Sequence, residues 1–254
     1  MKKSILMLAA GALLLATPSC KKGENDPALS LSSRKARISG EWNVASYESE
    51  SHYIDGSDSW HNTSTFNGTT ITGTWSQTVG GSTTSGNDPD ITTVSLFDFI
   101  INKDGTYTMN RSWVTVSSGT NGWSGLDYTD TETASYTESG SWSFVGKAKD
   151  EYKNKERVVM NATHTVSTSQ TTTVTQLGGG LTDTSIGNTN TSDDTYAIGE
   201  NATIFDIDML KGKEMTLMVV SGGVDKYTST TSGGTSTTTE SSDESMMTIQ
   251  LIAK

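Results

Sequence analysis

Ile38-Ser39-Gly40-Glu41-Trp42-Asn43-Val44 is the stretch on which the fold turns. Two residues make one full period of a β-strand, so Gly40 and Trp42 share a face, and the glycine leaves room for the indole. The spacing recurs in Gly73-Thr74-Trp75 and Gly140-Ser141-Trp142, each inside a run rich in Thr, Ser, Val and aromatic residues. Several strands closing over one tryptophan-bearing interior account for that recurrence.

Downstream of this stretch, alternation predicts further strands. The segment from about Ser64 to Val79 puts Ile71, Gly73, Trp75 and Val79 on one face. Leu96–Ile101 and Thr106–Val116 flank Asn102-Lys103-Asp104-Gly105, a hairpin turn; Phe97, Phe99 and Ile101 can meet Tyr107, Met109 and Trp113 across the ladder. A strand from about Thr131 to Val145 brings Gly140, Trp142 and Phe144 to one side, and Arg157–Val174 alternates Val158, Met160, Ala162, His164 and Val166 with polar residues. Phe205, Ile207 and Met209, then Met215, Leu217 and Val219, flank a turn at Lys211-Gly212-Lys213, and Met247, Ile249 and Leu251 form a closing strand. Gly80–Asp90, Gly146–Glu156 and Leu177–Glu200 read as loops, whereas Ser221–Ser242 is either disordered or a hairpin reaching beyond a barrel rim.

Composition agrees with an all-β chain. Ser and Thr make up nearly a third of 254 residues, charged residues only 19%, and helical apolar spacing is nearly absent after the first twenty residues. One large β domain is the expectation at this length. The net charge of −11 argues against nucleic acid as a partner, since phosphate binding needs clustered Lys and Arg. With a single cysteine, Cys20, no intrachain disulfide can form.

Upstream, Met1-Lys2-Lys3 and the apolar run Ile5–Ala16 have the charged start and short greasy centre of a secretory signal. The run ends in Thr17-Pro18-Ser19-Cys20, which resembles a bacterial lipoprotein signal; the resemblance implies removal of residues 1–19 and acylation of Cys20. Lys21-Lys22-Gly23-Glu24-Asn25-Asp26 looks like the tag that exports surface lipoproteins in one Gram-negative group, or is simply a polar tether. Residues 20–37 are then the lipidated N-terminus and linker, and residues 38–254 the folded domain.

Gly40-x-Trp42 on the first strand, Phe97-x-Phe99 turning through Asp104-Gly105-Thr106-Tyr107, and Gly140-x-Trp142 together resemble the lipocalin-like domains of Gram-negative bacterial lipoproteins. The resemblance runs from Ile38 to the end of the chain. It implies an antiparallel up-and-down barrel of about eight strands with long Ser/Thr/Gly-rich loops, anchored in the outer membrane through lipid on Cys20. The basic residue that lipocalins place late in the chain over the first tryptophan has no counterpart in this reading.

Residues for catalysis are sparse. There is no Gly-x-Ser-x-Gly elbow, and Gly178–Gly180 lacks the Lys-Ser/Thr of a phosphate loop. His52 and His61 flank Asp55 and Asp58, but without tight ligand spacing they read as a solvated turn, and no acidic run has the spacing of a calcium loop. The expectation is a non-enzyme with no metal and no cofactor. Trp42, Trp75, Phe97, Phe99, Tyr107, Met109, Trp113, Trp142 and Phe144 are candidates to line the barrel, either as its core or around a small hydrophobic or amphipathic ligand. Trp60 and Trp123, beside turn residues, are expected to be exposed. The alternative function is a structural or surface-interaction module, with a barrel filled by its own side chains and loops that touch a protein or glycan.

Overall fold

The computed structural model describes residues 33–145, 156–230 and 236–254. They form one short helix, α1 (Arg34–Ile38), and thirteen strands: β1 (Gly40–Asp55), β2 (Asp58–Phe66), β3 (Thr70–Val79), β4 (Ser82–Asn87), β5 (Ile91–Ile101), β6 (Thr106–Thr120), β7 (Asp127–Val145), β8 (Glu156–Gly178), β9 (Leu181–Ile186), β10 (Asn190–Thr195), β11 (Asn201–Lys211), β12 (Glu214–Thr230) and β13 (Ser236–Ala253). Cys20, the leader and most of the linker lie outside the described residues, as does nearly all of the charged loop before β8.

All the strand pairings are antiparallel, and β13 closes back on β1. Ten strands make the closed barrel, in the order β1-β2-β3-β5-β6-β7-β8-β11-β12-β13, while β4, β9 and β10 lie outside it. The expected number was about eight. The alternating segments themselves number nine, and the tenth strand arises because Asn67-Gly68-Thr69 breaks the segment around Ser64–Val79 in two: Gly68 adopts φ 96°, and the Asn67 side-chain oxygen accepts hydrogen bonds from the backbone N–H of Thr69 and Thr70.

The resulting β2–β3 hairpin is a wedge between β1 and β5. Both neighbours carry a register shift near its tip, at Val44/Ser46 and at Val94/Leu96. Beneath the tip β1 and β5 pair directly, Gly40–Asn43 against Asp98–Ile101. The wall is therefore narrower at this end, called lower here because it carries α1 and the C-terminus.

The two long polar inserts expected as loops are partly strands. Gly80-Gly81 turns the chain into β4, which pairs with β3; the 177–200 segment yields β9 and β10, laid in turn along the β8 edge above β11. Of the two readings of Ser221–Ser242, the hairpin holds, with β12 and β13 paired out to Thr230 and Ser236. Threonine suits such strands because its branched side chain packs on a pleated surface while its hydroxyl bonds across the ladder. Thr63–Thr74 and Thr65–Thr72 do so at 2.7 and 3.0 Å.

The lower barrel is filled. Trp42, Val44, Phe99, Ile101, Tyr107, Trp142, Val158, Met160, Phe205, Ile207, Leu210, Met215, Leu217, Ile249 and Leu251 form one buried cluster. Each of the larger aliphatic and aromatic side chains contributes about 1.5–3 kcal/mol relative to exposure. Helix α1, capped by the Ser33 hydroxyl, closes the end by inserting Ile38, whose carbonyl accepts the Trp42 indole N–H at 2.9 Å.

Bulges explain two departures from simple alternation. A register shift opposite Ser139/Gly140 turns His164 and Val166 to the outside after Val158, Met160 and Ala162 point in, and another between Ile207 and Met209 makes Leu210, not Met209, the buried residue.

The Gly-x-Trp glycines also act differently from expectation. A Cβ on Gly40 would sit an ordinary 3.7 Å from the Trp42 indole nitrogen, and one on Gly73 would meet the Thr63 carbonyl at 3.1 Å. One on Gly140 would run into the backbone of Asn161. At Gly73 and Gly140 the missing side chain lets neighbouring backbones approach. Room for Trp75 comes from Gly86 on the paired strand, where a Cβ would lie 3.2 Å from the indole ring.

Candidate functional site

Above the filled core the interior changes character. Phe97 on β5 and Tyr47 and Phe66 on β1 and β2 form a ring cluster with centroids 5.7–6.4 Å apart, and Phe99 lies beneath Phe97. On β6 the inward positions are Tyr107, Met109, Arg111 and Trp113, paired with Gly140, Glu138, Tyr136 and Ala134 of β7. The Arg111 guanidinium stacks over Phe97 at 5.5 Å and over Trp113 at 4.6 Å from the ring centroids. Its burial holds its pKa below the usual arginine value, countered in part by Tyr47.

Beside it Glu138 accepts two phenol hydrogens, from Tyr107 at 2.6 Å and Tyr136 at 2.8 Å. Burial, reinforced by this carboxylate, pushes both phenols well above the usual tyrosine range. The two hydroxyls thus stay protonated donors across the physiological range and hold Glu138 in place.

Higher still, the inner faces of β6, β7, β8 and β10 border an open recess of ≈ 330 Å³ lined by Trp113, Glu132, Ala134, Ser167, Ser169, Asn190 and Ser192 among others. Trp113 and Ala134 are its apolar lining, and the rest carries hydroxyls, the Asn190 amide and the Glu132 carboxylate. On the opposite group of strands, inward parity places Tyr53 against Trp60 at 5.3 Å between centroids, with Trp75 two strands over on β3.

The candidate lining residues divide between core and recess. Trp42, Phe99, Tyr107 and Trp142 are buried in the lower core; Phe97, Met109 and Phe144 are partly buried against it; Trp113 lies at the junction and lines the recess. Trp75 is no core residue, being 38% exposed near the rim. Trp123 is fully exposed, as expected, whereas Trp60 is half-buried against Tyr53.

Arg111 is not among the lining residues expected from the sequence. Its signal was present: it sits at core parity between Met109 and Trp113, where a charge has no place in a simple apolar stripe.

His52 and His61 meet edge to face on the outer surface, with His61 bound to Glu50 at 2.8 Å, and His164 bonds Asp193 likewise outside the barrel. Among the described residues no group of three or more His, Cys, Asp or Glu is placed to hold a metal ion. No helix among them is long and apolar enough to cross a membrane. Comparison of the chain with protein-family profiles, with curated proteins and with solved structures returned no match.

Proposed function

We propose that this protein is a non-catalytic, lipid-anchored lipoprotein of the outer membrane that binds a small amphipathic molecule in the upper half of its barrel. The observation that carries the reading is the recess beside Trp113. A recess of ≈ 330 Å³ has the size of a small-molecule site, and its lining, Trp113 and Ala134 among hydroxyls, the Asn190 amide and the Glu132 carboxylate, suits a molecule with both apolar and polar parts. A wholly apolar ligand deep in the barrel is disfavoured, because Trp42, Tyr107, Leu217 and Leu251 already occupy that volume. Anchoring rests on the lipoprotein-like signal ending at Cys20.

Native mass spectrometry of the mature protein extracted from its own membrane tests the reading. A stoichiometric small molecule that is lost on Trp113→Ala supports it, and protein recovered empty from every preparation overturns it. Failure of a Cys20→Ser chain to take up labelled fatty acid, beside wild type that does, checks the anchor.

A second reading is favoured by the filled lower core and by the polar hairpins, above all β8–β9 and β12–β13, that extend far past it. These would make the protein a surface-interaction module whose Thr-rich strands contact another protein or a glycan. Consistently empty protein that still pulls down one surface component would favour it.

A further inference from the structure

Arg111 is a cation inside a barrel with no anion to meet it. Among the described residues it has no hydrogen-bond or ion-pair partner, and its only close polar-sensitive contacts are the faces of Phe97 and Trp113. Its Nε is shut away from solvent and unsatisfied. The carboxylate that could have neutralised it, Glu138 on the adjacent strand, has both oxygens engaged by Tyr107 and Tyr136. Asp130, further up the same inner face, accepts from Thr173, and Glu132 lines the recess beyond Trp113. Tyr47, which also faces the guanidinium, bonds Ser64 through its hydroxyl.

A guanidinium drawn part-way into a barrel gives up part of its hydration with no protein partner in return, and proteins keep such a group chiefly where something else completes it. The guanidinium offers a planar fork of donors suited to a carboxylate, sulfonate or phosphate. Aromatic faces on either side hold that fork in one orientation, and its terminal nitrogens are not among the atoms sealed from solvent.

We infer that Arg111 is the anion-binding residue of the barrel, and that the ligand is an amphipathic oxyanion whose charged head meets Arg111 while its body lies along Trp113 and Ala134 in the recess. The inference rests on the proposed small-molecule site. Arg111 is reached past the Trp113 ring and does not itself line the recess; Glu132, above Ala134 on β7, then acts as a selectivity element whose like charge keeps the anionic head on the Arg111 side of Trp113 and away from the mouth.

Isothermal titration of the mature protein in zwitterionic nanodiscs, with empty nanodiscs subtracted, tests this with hexanoate, its neutral isostere hexanamide, and acetate. Hexanoate is expected to bind at least tenfold tighter than either comparator. Arg111→Gln should erase the preference over hexanamide, with near-UV circular dichroism and the urea midpoint reporting that the variant is folded. Glu132→Gln should raise the preference for hexanoate over hexanamide several-fold.

Equal binding of hexanoate and hexanamide by wild type, or a preference that survives Arg111→Gln, overturns the anion site and leaves the small-molecule reading standing. Acetate binding as tightly as hexanoate overturns the amphipathic body of the ligand. Binding of none of the three, together with protein that is empty by native mass spectrometry, overturns both.

Discussion

Gly140→Ala perturbs the closest approach of two long strands. A methyl there would lie 2.9 Å from the Asn161 carbonyl carbon and 3.0 Å from the Ala162 Cα, and nearer still to the Asn161 oxygen. Carbon atoms rest about 3.5–4.0 Å apart, so β8 must retreat by on the order of 1 Å. No rotamer change can relieve the contact, because the obstacle is backbone.

The retreat occurs where β7 and β8 already change register, between Ser139 and Gly140, and beside the Gly140–Ala162 and Trp142–Met160 pairs that form part of the core wall. Losing about two ladder hydrogen bonds at roughly 1 kcal/mol each, with looser packing around Trp142 and Met160, gives about 3 kcal/mol. The stiffer unfolded chain offsets at most about 1 kcal/mol, for a net loss of roughly 2–3 kcal/mol.

Gly122→Ala is the control. Its Cβ meets nothing within 4 Å and its φ is ordinary, so it should change stability by less than about 0.5 kcal/mol. Urea unfolding followed by tryptophan fluorescence reads the difference. With a denaturant slope of about 3 kcal/mol per molar, Gly140→Ala should lower the midpoint by roughly 0.7–1 M. A midpoint matching that of Gly122→Ala would refute the reasoning.

Two further outcomes rest on polar contacts elsewhere in the barrel. Asp98 is 5% exposed on the outside of the wall, held by Asn110 at 3.0 Å and by the C-terminal Lys254 at 2.6 Å, a bond that raises the lysine pKa. Lys254→Met should therefore lower the urea midpoint, and adding Asp98→Asn should recover part of the loss, since an enclosed charge is worse alone than absent. Tyr107 and Tyr136 keep their protons in the fold at pH values where an unfolded tyrosine has lost its own, so the stabilisation is complete below pH ~10 and declines as pH rises beyond it. Phenolate absorbance should show two of the eight tyrosines titrating late, and Tyr107→Phe/Tyr136→Phe should flatten the fall in the urea midpoint above pH ~10.

Much of the barrel and little of the site could be read along the chain. The Phe97/Phe99 strand, its Asn102–Gly105 turn and the Tyr107/Met109/Trp113 return strand are local: alternation and a glycine at φ 99° specify them within twenty residues. The site depends on side chains of β5, β6, β7, β8 and β10, and on the fact that Glu138 is already engaged when Arg111 needs a partner. Which groups surround Arg111 is set by strands distant in the chain. Only the misplaced charge at core parity was visible beforehand.

Period-two alternation, the scarcity of helical spacing and the recurring Gly-x-Trp motifs were enough by themselves to determine an antiparallel all-β barrel, because strand faces are set by the pleat and need no distant information. The tertiary structure decided the rest: ten strands instead of eight, Trp75 at the rim, and His164 and Val166 outside. The hairpin turned at Asn67–Thr69 lies behind the strand count and the place of Trp75, and a bulge in β8 behind His164 and Val166, because one extra residue reverses every face beyond it and the register between strands distant in the chain decides where it falls.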